Sequence, residues 1–209
     1  TLAEAQANLG LMLQREGRVE GAAAAFAAAV AAAPDFAQAH HNLALLLLEH
    51  GALRQGWQEH EWRFATPQFA GQQRRLSARP WRGENIAGKR ILVWGEQGIG
   101  DEILFSAAIP DLMARAGHVV VECEPRLVPL FARSFPGATV RPAGGNAPDV
   151  DVQSAAGSLP RFLRPALSRF PARPGWLVAD GARTRTMAAW LAGLGPGLKV
   201  GLSWRSASM

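Results

Sequence analysis

Cysteine is almost absent. Cys123 stands alone in 209 residues, so no internal disulfide can form. A lone cysteine agrees with a reducing compartment, and a cytoplasmic location is the expectation. Its setting, "VVVEC", reads it as a small buried hydrophobe at a strand end. No histidine or cysteine spacing resembles a metal site. His40 and His41 are adjacent, so on a helix they point apart and do not share a metal easily. Long apolar runs are missing too. A membrane helix needs roughly 20 such residues, and "AAAAFAAAV" and "LALLLL" fit amphipathic helices instead. Lysine is nearly missing, with only Lys89 and Lys199; arginine supplies the rest of the positive side-chain charge, and the formal net charge is +5. No long basic run accompanies that charge, so it reads as compositional bias and not as a nucleic-acid footprint. The densest patch is Arg74, Arg75, Arg79 and Arg82. A solvated linker is one reading of it; contact with a nucleotide, an acidic glycan or a nucleic acid is the other.

What is present describes a folded globular chain: 48% hydrophobic and 19% charged residues. The length suits one large domain or two small ones. The chain opens on Thr1 and not on methionine, so it says nothing about a leader peptide.

The first third repeats itself at a shift of 34 residues. Leu9 falls on Leu43, Leu13 on Leu47, Gly17 on Gly51 and Ala22 on Gly56. Small residues at Gly10 and Ala22 let two antiparallel helices approach, and Leu13 and Phe26 fill the space between them. Gly17 permits the turn, and Pro34 ends the second helix. Residues 1–68 thus resemble about two tetratricopeptide repeats. The second repeat departs late, with His60 in place of Phe26 and Gln68 in place of Pro34. Its last helix carries Trp57, Trp62 and Phe64, which read either as a dock for the next domain or as an aromatic binding surface. Arrays of this class bind peptides or proteins on concave faces.

Residues 69–88 are rich in Gly, Gln, Arg and Pro and read as a linker. From residue 89 the pattern alternates. "RILVW", "HVVVEC" and "ATVRP" read as strands, "DVDV" as a short fourth, "GWLVAD" as a fifth and "LKVGLSW" as a last. "DEILFSAAIPDLMARAG" reads as a helix kinked at Pro110, "EPRLVPLFARSFPG" and "GSLPRFLRPAL" as further helices, and "GARTRTMAAWLAGLG" as another. The expected class is therefore α + α/β: helical hairpins, then a Rossmann-like parallel sheet over 89–197. Ligands of such sheets sit at the carboxyl ends of the strands.

At one such end lies "WGEQGIGDEILF", Trp94 to Phe105. Three readings stay open on the residues alone. A dinucleotide site has its strand, glycine loop and helix, with Glu122 as the later acid. But Ile103 stands where the third glycine belongs, and Asp101 and Glu102 occupy the helix N-terminus that would hold a pyrophosphate. A structural turn needs glycine's freedom and gains about 0.5–1 kcal/mol from an acid in the first turn. A catalytic loop would use Asp101 as a general base toward a hydroxyl, with the glycines keeping the backbone accessible.

The string "ILVWGEQGIGDEILFSAAIPDL" resembles the opening of GT-B glycosyltransferases related to the ADP-heptose:lipopolysaccharide heptosyltransferases. Trp81, Gly83, Glu84, Gly88 and Lys89 before it, with "GWQEHEWRF" and "VVVECEPRLVPLF", resemble bacterial proteins that join tetratricopeptide repeats to such a domain. The resemblance covers roughly residues 3–204. It implies that Asp101, after Gly100, is the catalytic base, and that Gly95, Glu96, Gln97, Gly98 and Gly100 shape the acceptor site. It implies a nucleotide-sugar donor held by a second domain, of which 198–209 would be the start. Ser203 and Arg205 would lie near the interdomain cleft. This chain alone would then bind no cofactor and turn over no substrate. The repeats would recruit a protein acceptor or partner, flagellin or another surface protein, or the acceptor would be a lipid-linked glycan. An exposed interdomain face invites self-association. A non-catalytic interaction scaffold and a nucleotide-binding regulator are the alternatives.

Overall fold

The computed structural model describes residues 1–145, 147 and 149–202. Four helices come first: α1 (Leu2–Arg15), α2 (Val19–Ala32), α3 (Ala37–Glu49) and α4 (Leu53–His60). Thr1 starts α1 with a capping box: its hydroxyl accepts the Glu4 N–H, and the Glu4 carboxylate accepts from the Thr1 amine. Gly17 and Gly51 close the two turns at φ +71° and +79°, where a Cβ is strained. The pairs approach closely through two other glycines. A Cβ on Gly10 would lie 2.5 Å from the Phe26 ring, and one on Gly56 would lie 2.8 Å from Leu48. Phe26, Ala22, Leu43 and Leu46 form the shared core of α2 and α3.

α4 runs directly into a 3₁₀ turn, Glu61–Ala65, which carries the chain to the sheet. The five strands are β1 (Arg79–Pro80), β2 (Arg90–Trp94), β3 (His118–Cys123), β4 (Thr139–Pro142) and β5 (Val152–Ala155). Their order is β1-β5-β2-β3-β4, and every pairing is parallel. Alternation splits the central strands into two faces. Ile91, Val93, Val119 and Val121 meet α5 (Ile99–Ser106), α6 (Ile109–Met113), α7 (Val128–Ser134) and α8 (Leu159–Leu163). Leu92, Trp94 and Val120 face the other way and are covered by Phe64, Leu76 and Val150. The chain leaving the helices therefore closes the second face of the sheet. The coarse class, helices joined to a parallel α/β sheet, is as expected.

Several details differ from the sequence reading. Residues 69–88 include an edge strand, and Trp81 and Ile86 are buried in the sheet's core. The fourth expected strand moves from 149–152 to 152–155, because Asp149 and Asp151 serve as partners to Arg90 at its entrance. The helix over 101–117 breaks in two. Pro110 has no N–H for the Ser106 carbonyl, so α5 ends at Ser106 and α6 restarts with Pro110 in its first turn. The segment 175–180 is no strand. Its Val178 N–H donates to Ser134 Oγ at 2.9 Å, its Val178 carbonyl accepts from Arg133 at 2.8 Å, and its Trp176 indole donates to Ser106 Oγ at 2.8 Å. Side chains of neighbouring helices take the place of a ladder partner, which an apolar run cannot reveal. Residues 198–202 are not strand, and α9 (Gly181–Gly193) buries no residue.

The tight approach at Gly10 yields a test. Gly10→Val drives methyl groups into a fully buried Phe26 and should cost roughly 1–3 kcal/mol by overpacking. A thermal melt should show the loss; an unchanged Tm would mean the two helices are free to move apart.

Candidate functional site

The strand order reverses beside β2. Neighbours β3 and β4 extend one way, and β5 and β1 extend the other. In open α/β sheets the crevice at such a reversal takes the ligand. Here the chain fills it with its own Arg63, which is 0% exposed. The guanidinium meets Glu96 on two nitrogens, Nε to Oε2 at 2.8 Å and Nη2 to Oε1 at 2.7 Å. Nη2 also donates to Ser158 Oγ at 2.9 Å, and Nη1 to the His60 carbonyl at 3.0 Å and to Glu61 Oε1 at 3.1 Å. All the donors of the guanidinium are used. Glu96 follows β2 and Ser158 follows β5, so one side chain from the helical part ties both sides of the reversal.

Two histidines, His41 and His60, and two aromatics pack around this pair. Trp57 meets Phe105 edge-on, and Phe64 rests against Trp94. These two aromatics dock the helices on the sheet, whereas Trp62 stacks on His40 with ring centroids 4.1 Å apart. His60 is buried beside Arg63, and its pKa falls to about 3 because of burial first, then the Arg63 charge, then His41. His41 is lowered by burial and by Arg63. Beside the Arg63 charge, burial keeps His41 and His60 neutral.

The loop after β2 sits at the rim of this joint. Gly95 donates its N–H to the Glu122 carbonyl at 2.8 Å, and a Cβ on it would strike the Glu102 carboxyl at 2.4 Å. Gln97 adopts the left-handed conformation at φ +66°, rare for a residue with a side chain. Its N–H is held by Gln72 Oε1 at 2.7 Å. Gly98 caps α5 in extended backbone, and Gly100 has no atom within 4 Å of an added Cβ. Neither of those two glycines relieves strain in the turn; Gly100 leaves open space, and an added Cβ on Gly98 would meet Asp101 Oδ2 at 3.5 Å.

Four acids at this end of the sheet are engaged. Glu96 holds Arg63 and the Gly157 N–H. Glu102 accepts the Glu124 N–H at 2.9 Å; burial raises its pKa, that hydrogen bond lowers it, and the Glu124 charge raises it again. Glu122 is buried between Arg74 and Arg141. Glu124 accepts from the Arg126 side chain at 2.8 Å. Asp101, in the first turn of α5 and partly exposed, has no side-chain partner among the described residues. Glu122 is thus committed to arginines and not free for a ribose, which removes the acid that a dinucleotide site required. Cys123 is pushed up to about 12 by burial, then by Glu102 and Glu124, and stays a thiol. Among the described residues no cluster of three or more His, Cys, Asp or Glu could hold a metal ion.

Of the residues expected from the sequence, Gly95, Gln97, Gly98, Gly100 and Asp101 share this one loop. Glu96 belongs to it by position, but it turns inward as the partner of Arg63. Ser203 and Arg205 lie outside the described residues. Sequence reasoning missed Arg63, His60 and Ser158. The available signal was an arginine set between Trp62 and Phe64.

No family model matches the chain. It is similar to Protein FlbA of Caulobacter vibrioides, 29% identical over 253 aligned positions. The match covers 95% of this chain and 42% of that protein, so the chain spans less than half the length of this curated relative. At that coverage the likeness takes in both the helices and the sheet.

The joint makes two predictions. Arg63→Ala strands a buried Glu96 carboxylate and should cost about 3–5 kcal/mol; adding Glu96→Gln should recover part of that in a double-mutant cycle. Additive losses would show that the two side chains do not interact. The second concerns pH. His60 titrates at 6.5 when unfolded and at about 3 when folded, so the unfolded chain binds the extra proton. Its contribution is complete above pH 6.5 and is lost on acidification by about 1.4 kcal/mol per pH unit. Urea unfolding at pH 7 and pH 5 should show a shallower pH dependence in His60→Phe than in wild type. Equal slopes would assign the loss to other groups.

Proposed function

We propose that this chain is the N-terminal part of a glycosyltransferase of the GT-B type, related to the heptosyltransferases, with tetratricopeptide repeats ahead of it. The intact enzyme transfers a sugar from a nucleotide-sugar to a hydroxyl of a protein or glycan acceptor. The observation that carries this reading is the sorting of the acids: Glu96, Glu102, Glu122 and Glu124 are engaged, and Asp101 alone of the five has no partner among the described residues. A carboxylate left without a partner at the carboxyl end of a sheet, beside Gly100, which leaves open space, suits a general base. As the acceptor oxygen bonds to the anomeric carbon, its proton passes to an Asp101 oxygen. The bond from that carbon to the phosphate oxygen breaks, and the nucleoside diphosphate leaves with the electron pair. Gly98 and Gly100 give the acceptor access, and the donor is held by sequence beyond this chain.

The repeat reading draws support from the two helical pairs with glycine turns at equivalent places, Gly17 and Gly51. In the proposal they recruit the acceptor or a partner. A non-catalytic scaffold is the second reading. It is favoured by apolar side chains on the outer helix: Leu2, Leu9 and Met12 of α1 are exposed.

The longer natural protein, assayed for transfer from a panel of nucleotide-sugars, separates the two. Asp101→Asn should fold normally by circular dichroism and lose turnover by roughly 10²–10⁴-fold, as removal of a general base does. Equal activity in the variant would sink the role of Asp101. Inactivity of the wild type with every donor, with partner binding through residues 1–68, would favour the scaffold.

A further inference from the structure

A large cleft among the described residues lies away from Asp101. About 720 Å³ in volume, it opens between the 3₁₀ turn of the helical part, the segment entering β1, and the carboxyl ends of β2 and β5. That volume suits a small organic ligand. Trp62, held by its stacking on His40, lines it from the helical side, with Phe64 beside it; Phe162 lines it from the sheet side.

The floor holds a built polar group. Gln153 is 8% exposed, and its Oε1 accepts the Trp94 indole N–H at 2.6 Å. An indole nitrogen only donates, so that bond fixes which end of the amide is oxygen. The other end, the Nε2 amide, donates to no group among the described residues and is not sealed from solvent. Gln153 lines the cleft, so among the described residues these amide hydrogens are left for a ligand. The two cations are Arg82, whose guanidinium has no partner among the described residues, and Arg161, whose only carboxylate neighbour there is Glu61 at 3.9 Å. Glu61 itself is committed to Arg63 and Ser158 through Oε1. The cleft thus offers donors and positive charge, aromatic ring faces, and no carboxylate without a partner.

We propose that this cleft is a binding site for a saccharide bearing an anionic group, phosphate or carboxylate. The ring's C–H face packs on the aromatic wall, the anion pairs with Arg82 and Arg161, and a ring oxygen or hydroxyl accepts from Gln153 Nε2. Arg63 bonds both to Ser158, which lines the cleft, and to Glu96, which leads into the Asp101 loop. The site therefore sits on the joint between the two parts, and it does not rest on the transferase reading.

Isothermal titration calorimetry of the 209-residue chain tests it with glucose 1-phosphate, glucuronate, glucose, inorganic phosphate and uridine monophosphate. Binding of glucose 1-phosphate or glucuronate is expected, and which of the two binds tells phosphate from carboxylate. Affinity should fall at least roughly tenfold, equivalent to about 1.4 kcal/mol, in Arg82→Ala/Arg161→Ala. Both positions are exposed, and thermal melts should confirm that this variant folds. Gln153→Glu keeps the acceptor for Trp94 but replaces the amide donors with a charge, and should abolish anion binding. Glucose binding as tightly as its phosphate would overturn the anionic assignment. Inorganic phosphate binding as tightly would overturn the saccharide, as would preferential binding of the nucleotide. Failure of both sugars to bind at ~10 mM, or unchanged affinity in the double variant, would overturn the site itself.

Discussion

The pairing of Arg63 with Glu96 is the constraint on which the rest of this molecule hangs. A guanidinium with no exposed surface must satisfy every donor or the fold bears the desolvation of an unpaired charge. Here each donor has an acceptor, and the acceptors come from three places: the end of α4, the loop after β2 and the turn after β5. The requirement for full satisfaction locks the helices to the sheet in one orientation. It also explains the neutral histidines nearby, since a second cation beside Arg63 would undo the balance.

That lock divides the carboxyl end of the sheet. A crevice at the reversal of strand order is the usual ligand position, and Arg63 occupies it. Usable space is displaced to either side. Towards β3 lies the glycine loop with Asp101 at its rim. Towards β5 and β1 lies the aromatic cleft, part of whose wall belongs to the helical part. Trp57 and Phe64 close the joint by packing on Phe105 and Trp94, so an oily seam shields the charged pair from water.

Much of this was legible in the residues. The 34-residue shift placed the helices and their glycine turns, because close packing leaves its mark as small residues at fixed spacing. Short apolar runs ending at glycine or an acid placed the central strands, since a parallel sheet buried on both faces needs them. The edge strand at Arg79–Pro80 was not legible: two residues carry no period. Nor was the unpaired state of 175–180, because Trp176 and Val178 look the same whether a strand or a helix side chain answers them.

The acids show where sequence stops. It alone determined that Glu96, Asp101, Glu102 and Glu122 would gather near one end of a sheet, because strand, turn and helix fix where those positions fall. Which of them are engaged is a matter of partners remote in the chain: Arg63 for Glu96, the Glu124 N–H for Glu102, Arg74 and Arg141 for Glu122. Only the tertiary structure decided that, since a carboxylate's state depends on the charges and donors folded against it and not on its neighbours in sequence.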